Sequence, residues 1–201
     1  MLKFSLLCAL LSLGCLPAKK SPWFSGCVVY ENEYKTMAGE TLFFAAKTKN
    51  WFYVQGNNLK MYDRNKKLTE LYLGKKNEFY TFDKGKAVLL ADTARQPDRA
   101  IFENLPTTTT ILGYPCQTLH MVAGSVSTLI YYSAAVRVNA ASFSRCHAAG
   151  WAALLQATHG ALPLRTFSIN TQRDIVATTE AIEVQARPLA ADEFTATALA
   201  Q

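Results

Sequence analysis

Cys116, His120, Cys146, His147 and His159 are the side chains whose types could support nucleophilic or metal chemistry. A thiol becomes a nucleophile when a neighbouring base or charge lowers its pKa. His120 follows Cys116 by four residues on a strand pattern. It therefore shares a face with the thiol but stands about 13 Å away, too far to activate it. No Cys-x-x-Cys or His-x-x-x-His spacing gathers these side chains for a metal. The sequence also contains no Gly-x-Ser-x-Gly elbow, phosphate-cradling glycine loop or Ser/His/Asp arrangement. Carboxylates are scattered over turns and strand exteriors, and Asp192-Glu193 reads as a solvated tail. These observations predict no enzyme, no metal and no cofactor.

The cysteines read better as structure. The first residues, MLKFSLLCALLSLGC, have the form of a secretory signal: Lys3 supplies the charge and Phe4 to Leu13 the apolar core. Two processing routes are open. Ser12-Leu13-Gly14-Cys15 resembles a lipoprotein signal, in which Cys15 is acylated, and each buried methylene of an acyl chain adds about 0.8 kcal/mol of membrane affinity. Cleavage after Ala18 is the alternative. The expected division is therefore a signal over residues 1–18 and one domain over 19–201. The protein is expected to be exported, either periplasmic or anchored to the outer membrane by lipid alone. Cys27, Cys116 and Cys146 remain after processing, an odd number in an oxidising compartment. A Cys116–Cys146 disulfide is the expected pairing, with Cys27 as the alternative partner. A loop of that length would contribute about 3 to 4 kcal/mol in the chain-entropy model.

These residues are positioned mainly by strands. The pattern predicts strands over Gly26–Tyr34, Thr41–Ala46, Trp51–Gln55, Leu59–Tyr62, Glu70–Leu73, Glu78–Phe82 and Ala87–Leu90, separated by tight-turn chemistry. Pro97–Pro106 reads as a connection. Further strands are predicted over Thr107–Leu112, Cys116–Val122, Ser127–Ser133, Leu164–Thr171 and Asp174–Arg187. In the last of these, Val176, Ile182 and Val184 are expected to share the inward face. The alanine-rich Ala140–Gly160 stretch is the exception. Trp151, Leu154 and Leu155 lie on one helical face, Gly160 stands where a left-handed cap belongs, and Gly150 shortens or delays the helix. Together these predict a mostly antiparallel β or α+β fold with one helix. Within TTTTILGYPCQTLHMV (Thr107–Val122), Gly113 and Pro115 bend the chain, so one strand ends and the next begins with almost no loop. Tyr114 is expected to lay its ring on the core at that corner.

Half of the residues are hydrophobic and the net charge is +6, with no lysine beyond Lys86. The lysines read as a solvated face, and no nucleic-acid motif accompanies them. Aromatic residues crowd the first half. Strand alternation lets some of them line a concavity able to hold an apolar ligand. The candidate liners are Phe44, Trp51, Tyr53, Tyr72 and Tyr80, with Trp151, Leu154 and Leu155 from the helix.

Thr110–Cys116 (TILGYPC) resembles the K-x-I-x-G-Y-x-C centre of a family of secreted proteins common in Bacteroidetes, similar to the lipoprotein carriers LolA and LolB. Phe24-x-Gly26, the strand LIYYS (Leu129–Ser133) and Gly160-x-Leu162-Pro163-Leu164 are also similar to that family. A threonine before Ile111 replaces the charged residue of its pattern. The resemblance spans Phe24 to Phe194, and it implies a curved, incomplete β-barrel with one or more helices in the concave face. It also implies a non-enzymatic role in the cell envelope, with a lipid acyl chain or other apolar ligand bound. An envelope structural or interaction protein, its core filled by its own helix and partnered by another envelope protein, is the alternative.

Overall fold

The computed structural model describes residues 22–42, 47–90 and 100–194. Eleven strands form one sheet: β1 (Gly26–Lys35), β2 (Thr48–Gln55), β3 (Asn58–Tyr62), β4 (Leu68–Leu73), β5 (Glu78–Asp83), β6 (Lys86–Leu90), β7 (Ile101–Ile111), β8 (Tyr114–Ala123), β9 (Val126–Arg137), β10 (Ala161–Asn170) and β11 (Ile175–Ala186). Their order is β6-β5-β4-β3-β2-β1-β11-β10-β9-β8-β7, and every pairing is antiparallel. Two meanders thus meet along β1 and β11, and the sheet does not close.

The chain reverses at Gly113 as expected, but the turn is Leu112-Gly113, and Tyr114 and Pro115 lie within the ladder of β8 rather than making the bend. Leu112 and Gly113 form a two-residue turn with φ of 50° and 80°, and Ile111 pairs directly with Tyr114. Two left-handed residues match the twist of a tight hairpin. Pro115 falls on the second residue of β8, opposite Thr110, and Tyr114 packs its half-buried ring against the core.

Two expectations fail because of bulges. β7 begins at Ile101, inside the stretch read as a connection. Its register slips between Leu105 and Thr108, leaving Pro106 out of the ladder. A proline is tolerated on an edge strand at such a bulge. In β11, Val29 pairs with Glu183 and Tyr30 with Ala181, so Ile182 is skipped. Ile182 is 37% exposed while Ala181 is buried. Val184 and Ala181 face the core, and the single alternation expected for Val176, Ile182 and Val184 does not exist. Of the predicted Thr41–Ala46 strand, Thr41 makes one bridge to Lys35, and 43–46 lie outside the described residues.

Between β9 and β10, two 3₁₀ turns (Ala140–Phe143 and Ala148–Gly150) lead into the helix α1 (Trp151–Ala157). Gly150, at φ 74°, delays the helix as anticipated. The helix ends through His159 (φ 54°) and Gly160 (φ 86°), whose N–H donates to the Leu155 carbonyl at 2.7 Å. Gly160 is required twice over. Its φ is left-handed, and a Cβ there would collide with the carbonyl of Val138.

The helical segment shows that the sheet is curved. One buried cluster joins Phe79 of β5, Phe52 of β2, Val28 of β1, Leu164 of β10 and Val136 of β9 to Phe143 and Leu155. Strands so far apart in the order can touch one short segment only if the sheet wraps around it. Trp151 stacks on Phe52 (5.1 Å between centroids, 18° between planes), and Phe143 lies 6.0 Å from Tyr72. From the strand beyond β11, the Tyr30 hydroxyl donates to the Pro163 carbonyl at 2.8 Å. It stands opposite the small Ala181. The architecture is a half-barrel with a helix in its concavity.

Candidate functional site

Adjacent aromatics on a strand point to opposite faces, and the structure divides the predicted liners accordingly. Tyr72, Trp151 and Leu155 face the concavity with Phe52 and Phe79. Tyr72 and Leu155 are buried there, the Tyr72 hydroxyl donating to Asn77 at 3.0 Å. Trp51, Tyr53 and Tyr80 face the other way. Lys66 Nζ stands 3.0 Å over the Trp51 ring. Tyr53 and Tyr80 pack with Leu71, Leu73, Leu189 and Phe194 on the convex face. Phe44 and Cys15, like all of residues 1–18 where a signal is expected, lie outside the described residues.

The helical segment packs on both halves of the concavity, with Trp151 on Phe52, Phe143 on Tyr72, and Leu154 and Ala157 against Leu119 and Ile130, and it leaves a gap beside β7–β10. Between α1 and those strands lies a groove of about 320 Å³, at the lower end of the range for ligand pockets. Leu154 is the one predicted residue that lines it. The floor was missed by reading the aromatic-rich half of the chain. It is a cross-strand row, Phe102–Met121–Thr128–Ser168, in which each residue pairs with the next. A second row, Leu119–Ile130–Thr166, runs beside it. At about 4.8 Å per strand, the first row is about 14 Å long. The alternation of Leu119 with Met121 and of Thr128 with Ile130 was the available signal.

Both rows run from apolar to hydroxyl-bearing side chains. Thr128 Oγ1 and Ser168 Oγ are hydrogen-bonded at 2.9 Å. In the second row the next partner of Thr166 is Thr179, whose hydroxyl donates to Asn32 Oδ1 at 2.8 Å. Asn32 and Thr128 are both buried. The ionisable neighbours alternate outward: His120 beside Met121, Arg165 beside Thr166, and Glu180 beside Thr179. Arg165 is spent on a bidentate pair with Glu180, at 2.7 and 3.0 Å. None of the described groove-lining residues is ionisable.

The histidines and cysteines do not converge. His120 bonds Ser127 at 2.9 Å on the convex side, whereas His147 and His159 border a separate cleft beside Trp23. No group of three metal-ligating side chains forms among the described residues. The expected Cys116–Cys146 disulfide is absent. Cys27, Cys116 and Cys146 are buried thiols, and the first two are engaged locally. The Cys116 thiol turns back onto its own hairpin, 3.3 Å from the Tyr114 carbonyl. Cys27 bonds Tyr53, directly opposite it on β2. Burial pushes both of these thiols above their ordinary pKa, which makes them poor nucleophiles.

No family model and no curated protein matches the sequence. The fold has solved counterparts. Over 85% of its length the chain is similar to PNGF-II in its P21 crystal form, at a TM-score of 0.52 and 16% identity, and over 87% in the C2 form, at 0.53 and 15%. The chain spans about 30% of PNGF-II, and the likeness is one of fold. Weaker likenesses, each at 10% identity, reach MucB in complex with MucA(peri) and an outer membrane lipoprotein-sorting protein domain from Vibrio parahaemolyticus. Their TM-scores are 0.41 and 0.39, over 86% and 89% of this chain, and 54% and 92% of theirs.

Proposed function

We propose that this is a non-enzymatic binding protein of the cell envelope that holds the hydrocarbon chain of an amphiphile between α1 and β7–β10. The observation that carries this reading is the groove itself: a mainly apolar trough between α1 and the strands, with no ionisable group among its described lining residues. Burial of apolar area at about 25 cal/mol per Å² supplies the affinity. The signal at residues 1–18, an acylated Cys15 and membership of the Gly-Tyr-x-Cys family belong to the same reading. Together they would place the groove next to a membrane, the source of such chains.

Ala153 borders the groove on the helix side, so Ala153→Trp should fill it. The purified, delipidated protein is expected to bind a fluorescent dodecyl probe saturably, and the variant to lose at least about tenfold in affinity with its thermal midpoint kept. No saturable binding by the unmodified protein would overturn the reading. It would favour the alternative, an envelope interaction protein whose concavity is filled by Phe52, Trp151 and Leu155.

A further inference from the structure

The two rows of the groove floor differ in polarity from one end to the other, and that gradient selects a head group. At the β7–β8 end stand Phe102 and Met121, with Ala100 and Ala123 beside them. At the β9–β10 end stand Thr128, Ser168 and Thr166. A hydroxyl offers one proton and two lone pairs. The Thr128–Ser168 pair consumes one of its two protons internally. Among the described residues no further partner bonds the second proton or the Thr166 hydroxyl on the same wall, so a guest can accept from them. We infer that the groove takes a single-chain amphiphile with an uncharged head, its ester or amide carbonyl accepting from the Thr128–Ser168 pair and its chain lying over Met121 and Phe102. This rests on the binding role proposed above.

Charge decides against the acidic alternative. A carboxylate or phosphate brought to this end would meet no cation among the described groove-lining residues, since Arg165 faces outward and is bonded to Glu180. Burying an unpaired charge costs several kcal/mol, whereas a neutral carbonyl needs only a hydrogen-bond donor. The hydroxyl band supplies donors and no charge.

The test compares 1-monododecanoylglycerol with dodecanoate at pH 8, where the acid is ionised, each below its micellar concentration. The neutral ester is expected to bind the unmodified protein at least about tenfold more tightly. Combining Thr128→Val with Ser168→Ala replaces both partners of the pair by apolar groups, a change that can be nearly neutral for stability. It should reduce the preference to about threefold or less. If the double variant fails to fold, Ser168→Ala alone should reduce the preference in the same direction. Equal or tighter binding of dodecanoate, or a preference that survives removal of the hydroxyls, would overturn the head-group assignment while leaving the chain-binding role intact. Binding of neither ligand would overturn both.

Discussion

Lys60 Nζ donates to the main-chain carbonyl of Glu193 at 2.8 Å and lies 3.4 Å from its Oε2. The ammonium also stands 5.0 to 5.4 Å from the rings of Tyr53, Tyr62 and Phe194. Through it the turn at Ala191–Phe194 is pinned to the convex face, where Leu189 and Phe194 cover Leu71 and Leu73. The Leu189 N–H donates to Gln55 at 2.7 Å on the same face.

Burial alone would raise the Glu193 carboxyl. The Ala190 N–H and the Lys60 and Arg187 cations outweigh it and hold the group below the usual carboxylate range. A carboxyl depressed by folding stabilises the native state above its unfolded pKa, and the contribution disappears as pH falls through the folded value. Glu193→Gln should therefore cost about 1 to 2 kcal/mol at neutral pH and remove part of the acid slope. Urea denaturation at pH 7 and below pH 4 checks both; an unchanged slope would refute the pinning role.

Phe52 and Trp51 are neighbours in sequence and face opposite sides of the sheet. Phe52→Ala should cost about 3 to 5 kcal/mol by opening a cavity under Trp151. Trp51→Ala, on the wetter face, should cost distinctly less. Equal losses in chemical denaturation would mean that the alternation is misassigned.

Gly160→Ala should destabilise by about 3 kcal/mol, combining left-handed strain with the clash against Val138. Gly113→Ala meets the same φ penalty but open space, so about 1 kcal/mol is expected there. The ratio of the two, read from thermal midpoints, separates backbone strain from collision.

Thiol titration of the native protein should give almost no reaction at Cys27, Cys116 and Cys146 at pH 8, because burial shields them and raises the first two. All three should react at once when the chain unfolds in urea under non-reducing conditions. A bridged pair would instead leave two of them unmodified.

Local signals were legible where one residue type has one physical use. Gly150 and Gly160 bracketed the helix, and Gly113 marked where one strand gives way to the next. The bulges at Pro106 and Ile182 were hidden because they depend on the partner strand's length, which no single strand encodes. Lys60 and Glu193 read as solvated charges. Their pairing joins residues far apart in the chain, and only the fold brings them together. For the groove, richness in aromatics pointed to β2–β5, where those rings are consumed by packing. The groove floor of Phe102, Met121, Ile130, Thr128, Thr166 and Ser168 is an unremarkable strand composition until the gap beside α1 is seen.

The meeting of β1 with β11 also has a kinetic consequence. Each meander is built from neighbours in sequence, whereas this seam joins the first described strand to the last, along the whole of β1. Loop closure makes such long-range pairing slow. The two half-sheets are therefore expected to form first and zip together last, and pulse-labelled hydrogen exchange should find the amides that bond between β1 and β11 protected after those of β3 and β8. Until the seam closes, each half carries a bare edge that a second copy could occupy. Dilution during refolding should then raise the yield of monomer.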